Sequence, residues 1–237
     1  MNEALTLLSF GEGGWGDTIA FGILVTVSLA IATLPFGLFL GFVIALAKNS
    51  SEPSLRLAAN IYTTIFRGLP ELLTLFLVYF GVQIGIQYGL TMIGVETYVE
   101  VNSFVAGMVA LAFVFSSYAS EAFLSAFRGI PDGQYEGGKA LGMSRFKTMR
   151  FIVLPQLIRL ALPALGNLWL ILLKETSLVS VIGLADLVRE SGIAARVTKE
   201  PFLFFGIACL VYLVLAMISS AGLSRVERWA KRGEAAR

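Results

Sequence analysis

Long apolar runs alternate with short polar segments along this chain. Five runs contain few charged residues, and they cover about 19–47, 62–88, 104–127, 160–182 and 201–223. A membrane-spanning helix needs about 20 consecutive, predominantly apolar residues, so each run is long enough to cross a bilayer. The second run is interrupted near its start by the sequence RGLPE at 67–71. The pattern predicts an all-α integral membrane protein with five transmembrane helices.

The composition favours the same class and excludes several others. Hydrophobic residues make up 57% of the 237 positions and charged residues 14%, whereas soluble domains carry about 25% charged residues. Histidine is absent and Cys209 is the single cysteine, which excludes imidazole catalysis, an intramolecular disulfide and a cysteine metal site. We expect no catalytic residue and no metal site.

The sequence offers no P-loop for ATP and no basic face for nucleic acid. No G-x-x-x-x-G-K-[ST] sequence occurs, so the chain has no P-loop for ATP and any ATPase is expected to be a separate partner. The net charge is only +2, and the basic residues lie between apolar runs rather than along one face. This distribution does not indicate nucleic-acid binding.

The basic residues also predict an orientation. Five spans place the two termini on opposite sides, and cytoplasmic loops carry the excess of Lys and Arg. With the N-terminus outside and the C-terminus inside, the external segments hold only Arg189, Arg196 and Lys199. Residues 1–18 are then an external N-terminal segment, 183–200 an amphipathic, partly helical external loop, and 224–237 a basic cytoplasmic tail.

One polar, basic interval at 134–155, QYEGGKALGMSRFKTMRFIVLP, stands out between the third and fourth runs. Its spacing, with EGG at 136–138, Gly142 four residues later and IVLP at 152–155, resembles the EAA loop of ABC-transporter permeases. In that family the loop forms a coupling helix that docks into a groove on the ATPase. The alternative is a solvated loop with a single helical turn. The resemblance implies a coupling loop over 131–155 and six coupling residues: Glu136, Gly137, Gly138, Ala140, Gly142 and Arg145.

Gly137 and Gly138 depart from the family pattern, which has two alanines at these positions. Each glycine costs about 1 kcal/mol of helix propensity relative to alanine. We therefore expect that docking onto a partner is needed to hold this helix in shape.

Further motifs are similar to those of bacterial polar-amino-acid uptake permeases, the histidine, arginine and glutamine group. These motifs are FRGLPELL at 66–73, SYASE at 117–121, PDGQYE at 131–136, LPALGN at 162–167 and LLKETSLVSVIG at 172–183. One departure is Leu124-Ser125, where many members carry Arg-Gly, and it points towards a less usual substrate such as an opine or another amino-acid conjugate.

The resemblance implies a type I ABC importer permease domain over 19–222, in the inner membrane of a bacterium. The implied partners are two copies of an ABC ATPase, a second permease that is either this chain or a similar one, an external substrate-binding protein and membrane lipid. ATP is then used by the partner and no cofactor is bound by this chain. The implied mechanism is alternating access.

An ionisable side chain inside a bilayer is energetically costly, so each such residue is a candidate for a functional role. This singles out Glu121, Lys174 and Glu175, and the functional interpretation is a polar substrate path that comprises Ser117, Glu121, Asn167, Lys174, Glu175 and Ser177. The alternative is that Lys174 pairs with Glu175 or with a neighbouring helix only to offset its burial. Adjacent helical residues diverge by about 100°, so Lys174 and Glu175 cannot both point at one ligand.

Arg67 and Glu71 flank the Gly-Leu-Pro sequence at the start of the second run and are candidates for a gate or an interface. For Arg67, an anchor that reaches the membrane surface is an equally good interpretation. Two other classes remain as alternatives to an importer subunit. A stand-alone secondary transporter would need internal repeats, which the sequence does not have, and an intramembrane enzyme would need a catalytic constellation.

Overall fold

The computed structural model describes residues 6–11 and 13–231, and every regular element in these ranges is helical. The α-helices are α1 (Gly16–Lys48), α2 (Pro53–Gly68), α3 (Glu71–Met92), α4 (Ser103–Arg128), α5 (Asp132–Ala140), α6 (Arg145–Thr148), α7 (Leu154–Glu175), α8 (Leu187–Thr198) and α9 (Pro201–Lys231). A π-helical turn at Met149–Val153 joins α6 to α7, and a 3-10 segment at Thr176–Ile182 follows α7.

Five helical segments of the described chain are long and apolar enough to cross a membrane. They are Gly16–Lys48, Glu71–Met92, Ser103–Arg128, Arg145–Ile182 and Pro201–Ala230. The predicted class and the predicted number of spans are therefore confirmed. The last helix extends through most of the predicted tail, of which residues 232–237 lie outside the described residues, as do residues 1–5 of the predicted N-terminal segment.

The predicted span 62–88 is wrong at its start, because the structure divides it between two helices. Helix α2 ends at Gly68, Leu69 is extended (φ −92°, ψ 142°) and α3 begins at Glu71. A residue before proline is disfavoured in the α conformation, which explains the break at Leu69-Pro70. The candidate membrane span begins only at Glu71, and α2 is a separate amphipathic helix.

Helix α4 is the centre of the bundle, and α1 packs along it. Small residues bring the two backbones close together. A Cβ added at Gly37 would lie 2.5 Å from the Phe115 ring, and one at Gly41 would lie 2.8 Å from Ala119 Cβ. Helices α3 and α9, by contrast, leave most of their apolar side chains exposed, as expected for surfaces that face lipid or a partner chain.

A second, smaller core closes the end of the bundle opposite to the polar interval. It joins the start of α1 to α8 and α9 through Ile19, Leu187 and Phe204. The predicted external loop at 183–200 is more regular than expected, since α8 occupies most of it. Asp186 begins that helix by accepting a hydrogen bond from the Arg189 backbone N–H at 3.0 Å.

The polar interval is helical over most of its length. Helix α5 ends at Ala140, Gly142 adopts a left-handed conformation (φ +71°), and Ser144 caps α6 by accepting a hydrogen bond from Lys147 N. The nine-residue α5 is longer than the single helical turn of the loop alternative. Gly142 allows the chain to reverse between α5 and α6, because a positive φ is readily adopted by glycine.

Candidate functional site: an ion cluster, a polar face and an exposed helix

Glu121 on α4 joins three helices at the end of the bundle where α1 ends. Its Oε1 lies 2.6 Å from Lys48 Nζ on α1 and 3.1 Å from an Arg67 guanidinium nitrogen on α2. The Lys48 side chain is 5% exposed, whereas those of Glu121 and Arg67 are 37% and 45% exposed. The guanidinium of Arg67 also lies 5.5 Å from the centre of the Tyr118 ring, a cation–π contact. Two cations therefore share one carboxylate.

These residues line a polar cleft of about 500 Å³ between α1, α2 and α4. Its wall also includes Asn60, Thr64 and Gly68 of α2. Because one carboxylate faces two cations, the cleft keeps a net positive charge that suits an anion. The wall reaches Gly68, the last residue before the break between α2 and α3.

Tyr62 holds α2 in place for this cluster. Its hydroxyl donates to the Phe113 carbonyl oxygen at 3.1 Å and lies 2.8 Å from the Ser116 hydroxyl on α4. Neither Lys48 nor Tyr62 was predicted as a site residue. Only Lys48 had a signal in the sequence, as a lysine that ends the first apolar run.

The residues predicted for the substrate path fall into two groups. Asn167 and Lys174 are seven positions apart on α7, so they share one face of the helix, and both are exposed. Glu175 is half-buried, and the like charge of Glu71 at the start of α3 repels it. Ser117 and Glu121 form the other group, on α4. The Ser117 hydroxyl is buried and donates to the Val114 carbonyl oxygen of its own helix at 2.7 Å.

The alternative interpretation of Lys174 is that it pairs with Glu175 or with a neighbouring helix to offset its burial. In the described part of the chain, no carboxylate lies within ion-pair distance of Lys174, and its side chain is exposed. It therefore forms no ion pair with Glu175 within 4 Å, although its charge still acts on that carboxyl group. The Lys174 carbonyl oxygen accepts a hydrogen bond from the Ser177 hydroxyl at 2.7 Å, which tightens the chain where the 3-10 segment begins.

Helix α5 contains three glycines, Gly133, Gly137 and Gly138, and a contact within the chain explains Gly138. A Cβ at Gly138 would lie 2.6 Å from Thr148 Cγ2 and 2.7 Å from Thr148 Oγ1, whereas a Cβ at Gly137 would meet nothing within 4 Å. The expectation that a partner must hold this helix in shape is therefore incomplete, because α5 already packs against Thr148 at the end of α6. Gly138 permits that close approach.

The exposed surface around α5 combines charge with apolar groups. Glu136, Lys139 and Arg145 line a 360 Å³ hollow between α5 and α6, together with Met143. Burial, with a further contribution from the Asp132 carboxylate, raises the pKa of the Tyr135 hydroxyl in the wall of this hollow.

Two apolar side chains project beside this hollow. Leu141 is 78% exposed and Phe146 is 72% exposed. The EAA pattern does not include either position. Apolar groups on an otherwise charged surface are typical anchors for a protein partner.

Residues 34–231 match the family described as binding-protein-dependent transport system inner membrane component. The chain belongs to this family, and it is a non-catalytic, membrane-spanning transport subunit whose ATPase is a separate protein.

Several named permeases are similar to it over nearly their full length. It is 42% identical over 232 residues to the nopaline transport system permease of Agrobacterium fabrum, covering 97% of this chain and 98% of the relative. It is 36% identical to the octopine transport system permease of Rhizobium meliloti, covering 97% of each. It is 35% identical to the histidine/lysine/arginine/ornithine permease of Salmonella typhimurium, covering 91% of this chain and 94% of the relative.

Solved structures agree with the fold. A chain from an amino acid ABC transporter crystallised with histidines superposes with a TM-score of 0.75 at 34% identity, covering 90% of this chain and 94% of that chain. A chain from an inward-facing MetNI methionine ABC transporter gives 0.70 at 16% identity, covering 90% of this chain and 96% of that chain, a similarity of fold alone.

Proposed function

We propose that this subunit imports an opine or a related amino-acid conjugate by alternating access. The observation that carries the proposal is the 42% identity to a nopaline permease over almost the whole of both chains. The octopine permease relative and the Leu124-Ser125 departure favour the same substrate class. The subunit works with two ATPase copies, a second permease that is this chain or a similar one, and an external binding protein. Only the ATPases use ATP.

The substrate path in this proposal follows the exposed face of α7. Asn167 and Lys174 offer an amide and a cation on that face, and Glu71, whose carboxylate acts on the half-buried Glu175 beside Lys174, offers negative charge. An amino-acid conjugate has both carboxylate and ammonium groups, so it needs both signs of charge. Ser177 stands where the path meets the 3-10 segment, while Glu121 and Arg67 form the gate at the inner end, with Ser117 packed behind them.

The α5 surface is the proposed coupling element, with Leu141 and Phe146 as anchors beside Glu136 and Arg145. We expect Leu141→Ala and Phe146→Ala each to reduce the amount of ATPase that copurifies by roughly tenfold, as anchor truncations do. Met92→Ala, at the exposed far end of α3, is the matched control and should change nothing. Full ATPase recovery with both anchor variants would contradict the coupling role.

The orientation proposed is N-terminus outside and C-terminus inside. A Cys209→Ser background leaves no cysteine, and Ser144→Cys then places one thiol beside α6. A membrane-impermeant maleimide should label this thiol in inverted vesicles and not in intact cells. Labelling in intact cells would place the α5 surface outside and overturn the proposal.

The function itself is tested in proteoliposomes that contain this chain with its ATPase, second permease and binding protein. We expect ATP-dependent uptake of labelled nopaline or octopine at least roughly tenfold above that of arginine or histidine, since a site built for specific polar groups rejects ligands that lack them. A hydrolysis-defective ATPase is the control. Uptake of arginine alone would contradict the substrate class, and uptake without the ATPase would support a secondary transporter instead.

A further inference from the structure

A basic cleft of about 660 Å³ lies at the end of the bundle opposite to α5, between α8 and the start of α9. Arg189, Arg196 and Lys199 line it. They are separated by seven and three residues, so they follow one face of α8 to its end. They are also the three basic residues of the predicted external segments, and neither the substrate path nor the coupling surface uses them.

The three cations are available to a ligand. In the described part of the chain, no carboxylate lies within 4 Å of any of them. One guanidinium nitrogen of Arg189 lies 3.4 Å from the Ser180 carbonyl oxygen, and Arg196 Nε donates to the Gly192 carbonyl oxygen at 3.1 Å. Each guanidinium is thereby oriented by one contact, and its other N–H groups have no hydrogen-bond partner among the described residues. Glu190, next to Arg189, is buried and does not line the cleft.

The rest of the cleft wall is mostly apolar. It is formed by Val188, Ala195, Pro201 and Phe205, together with Ser180 and Gly192. Gly192 faces Phe205 across the cleft: an added Cβ would be in ordinary van der Waals contact with the ring at 3.8 Å, and a larger side chain would occupy the cleft. A ligand that fills this cleft therefore needs a negative head and an apolar body.

The position of the cleft relative to the membrane identifies that ligand. Pro201 begins a candidate membrane span, so Arg196 and Lys199 immediately precede the point where the chain becomes apolar enough for lipid. Phe205 in the cleft wall is 45% exposed, and Phe202, three positions before it on α9, is 94% exposed. Basic residues at such a boundary attract anionic lipid headgroups.

We propose that this cleft is a binding site for an anionic phospholipid, with the phosphate held by Arg189, Arg196 and Lys199 and one acyl chain lying along α9. An acidic protein surface would satisfy the cations and would leave the apolar wall and Phe202 without a partner. A phospholipid satisfies both parts of the cleft. The proposal does not depend on which substrate the transporter carries.

The test is a lipid titration of the complete transporter in detergent, followed by native mass spectrometry. Phosphatidylglycerol should bind at least roughly tenfold more tightly than phosphatidylcholine. Arg189→Gln, Arg196→Gln and Lys199→Gln together should remove this preference. The matched triple variant Arg56→Gln, Lys147→Gln and Arg225→Gln, at the other end of the bundle, should retain it. An unchanged preference in the first triple variant would overturn the proposal.

Two further arms separate lipid from other anions. Gly192→Leu keeps every charge but fills the cleft, so it should also abolish the preference; if it does not, the cleft is not the site. Excess glycerol phosphate should not displace phosphatidylglycerol, and displacement would indicate a free-phosphate site. A triple cleft variant that keeps lipid binding but loses stimulation by the binding protein would overturn the lipid assignment in favour of a protein-docking surface.

Discussion

Lys48 Nζ lies 2.6 Å from Glu121 Oε1, although 73 positions separate the two residues in the chain. The lysine is almost completely buried, whereas the carboxylate is partly exposed and is shared with Arg67. The two partners therefore depend on each other unequally. Loss of Glu121 leaves a buried cation without a counter-charge, while loss of Lys48 leaves Glu121 paired with Arg67.

This inequality predicts the order of two substitutions. Glu121→Gln should destabilise the purified protein by about 1–3 kcal/mol, because an unpaired buried charge is costly. Lys48→Met should cost less than about 1 kcal/mol, and it should partly restore the Glu121→Gln variant when the two are combined. Thermal unfolding in detergent gives the ranking. Equal losses in the two single variants would contradict it.

Gly137 and Gly138 of α5 should respond oppositely to alanine. Gly138→Ala forces a Cβ to within 2.6 Å of Thr148 Cγ2 and should lower both stability and ATP-driven transport. Gly137→Ala meets no neighbouring atom and should stabilise α5 by up to about 1 kcal/mol through helix propensity. Thr148→Ala should restore the Gly138→Ala variant, because it removes the two nearest atoms. Failure of this rescue would indicate that Gly138 is required for another reason.

Gly142 has a backbone constraint rather than a packing constraint. Its φ is +71° and a Cβ added at this position would meet no atom within 4 Å, so conformation alone limits the side chain. Gly142→Ala should cost about 1–2 kcal/mol locally, reduce ATPase copurification and leave membrane insertion intact. Gly142→Asn should be milder, since asparagine tolerates the left-handed region. Gly142→Trp should uncouple transport for the same reason, and normal transport by that variant would contradict the prediction.

Asp186 predicts a pH dependence at the opposite end of the bundle. Its side chain is fully buried, Oδ2 has no hydrogen-bond partner within the described residues, and Glu190 and Tyr212 are the titratable groups that interact with it. Burial raises the pKa of Asp186 from 3.8 to about 6. Between these two values the folded protein holds a proton that the unfolded chain has released, so the contribution of Asp186 to stability is largest below about pH 4 and is lost as the pH rises to about 6.

Asp186→Asn should therefore flatten the stability profile between about pH 4 and 7 and raise stability above that range by about 2 kcal/mol. Asparagine can still accept the hydrogen bond from Arg189 N that begins α8. Asp186→Ala loses that cap as well and should be about 1 kcal/mol less stable than Asp186→Asn. Thermal unfolding across this pH range is the measurement, and an unchanged slope in Asp186→Asn would contradict the assignment.

The five spans were predictable because apolar length alone identifies a membrane helix. The division of the second span at Leu69-Pro70 was also accessible in principle, since the rule is local: a residue that precedes proline leaves the helical conformation. The apolar content of 62–88 concealed it. Helix α2 was consequently included in a span that begins only at Glu71.

The long-range contacts of the site were not predictable in the same way. Glu121 was recognisable as a charge within an apolar run, but Lys48 and Arg67 approach it only after three helices have packed together. Gly138 illustrates a different limit. Helix propensity predicts only that glycine destabilises the helix at this position. The benefit of having no side chain is visible only in the structure, where Thr148 packs closely against Gly138.

The contact between Gly138 and Thr148 attaches α5 to the base of the helical segment that runs from Arg145 to Ile182. Lys174 and Glu175 lie on that same segment, roughly 40 Å from Thr148 at about 1.5 Å per residue. A tilt imposed at the base would therefore move these two side chains through one helical segment, whose bend is set by the π-helical turn at Met149–Val153 and by Pro163. If α5 is the coupling element, nucleotide-driven work at one surface of the membrane reaches the polar groups along this segment.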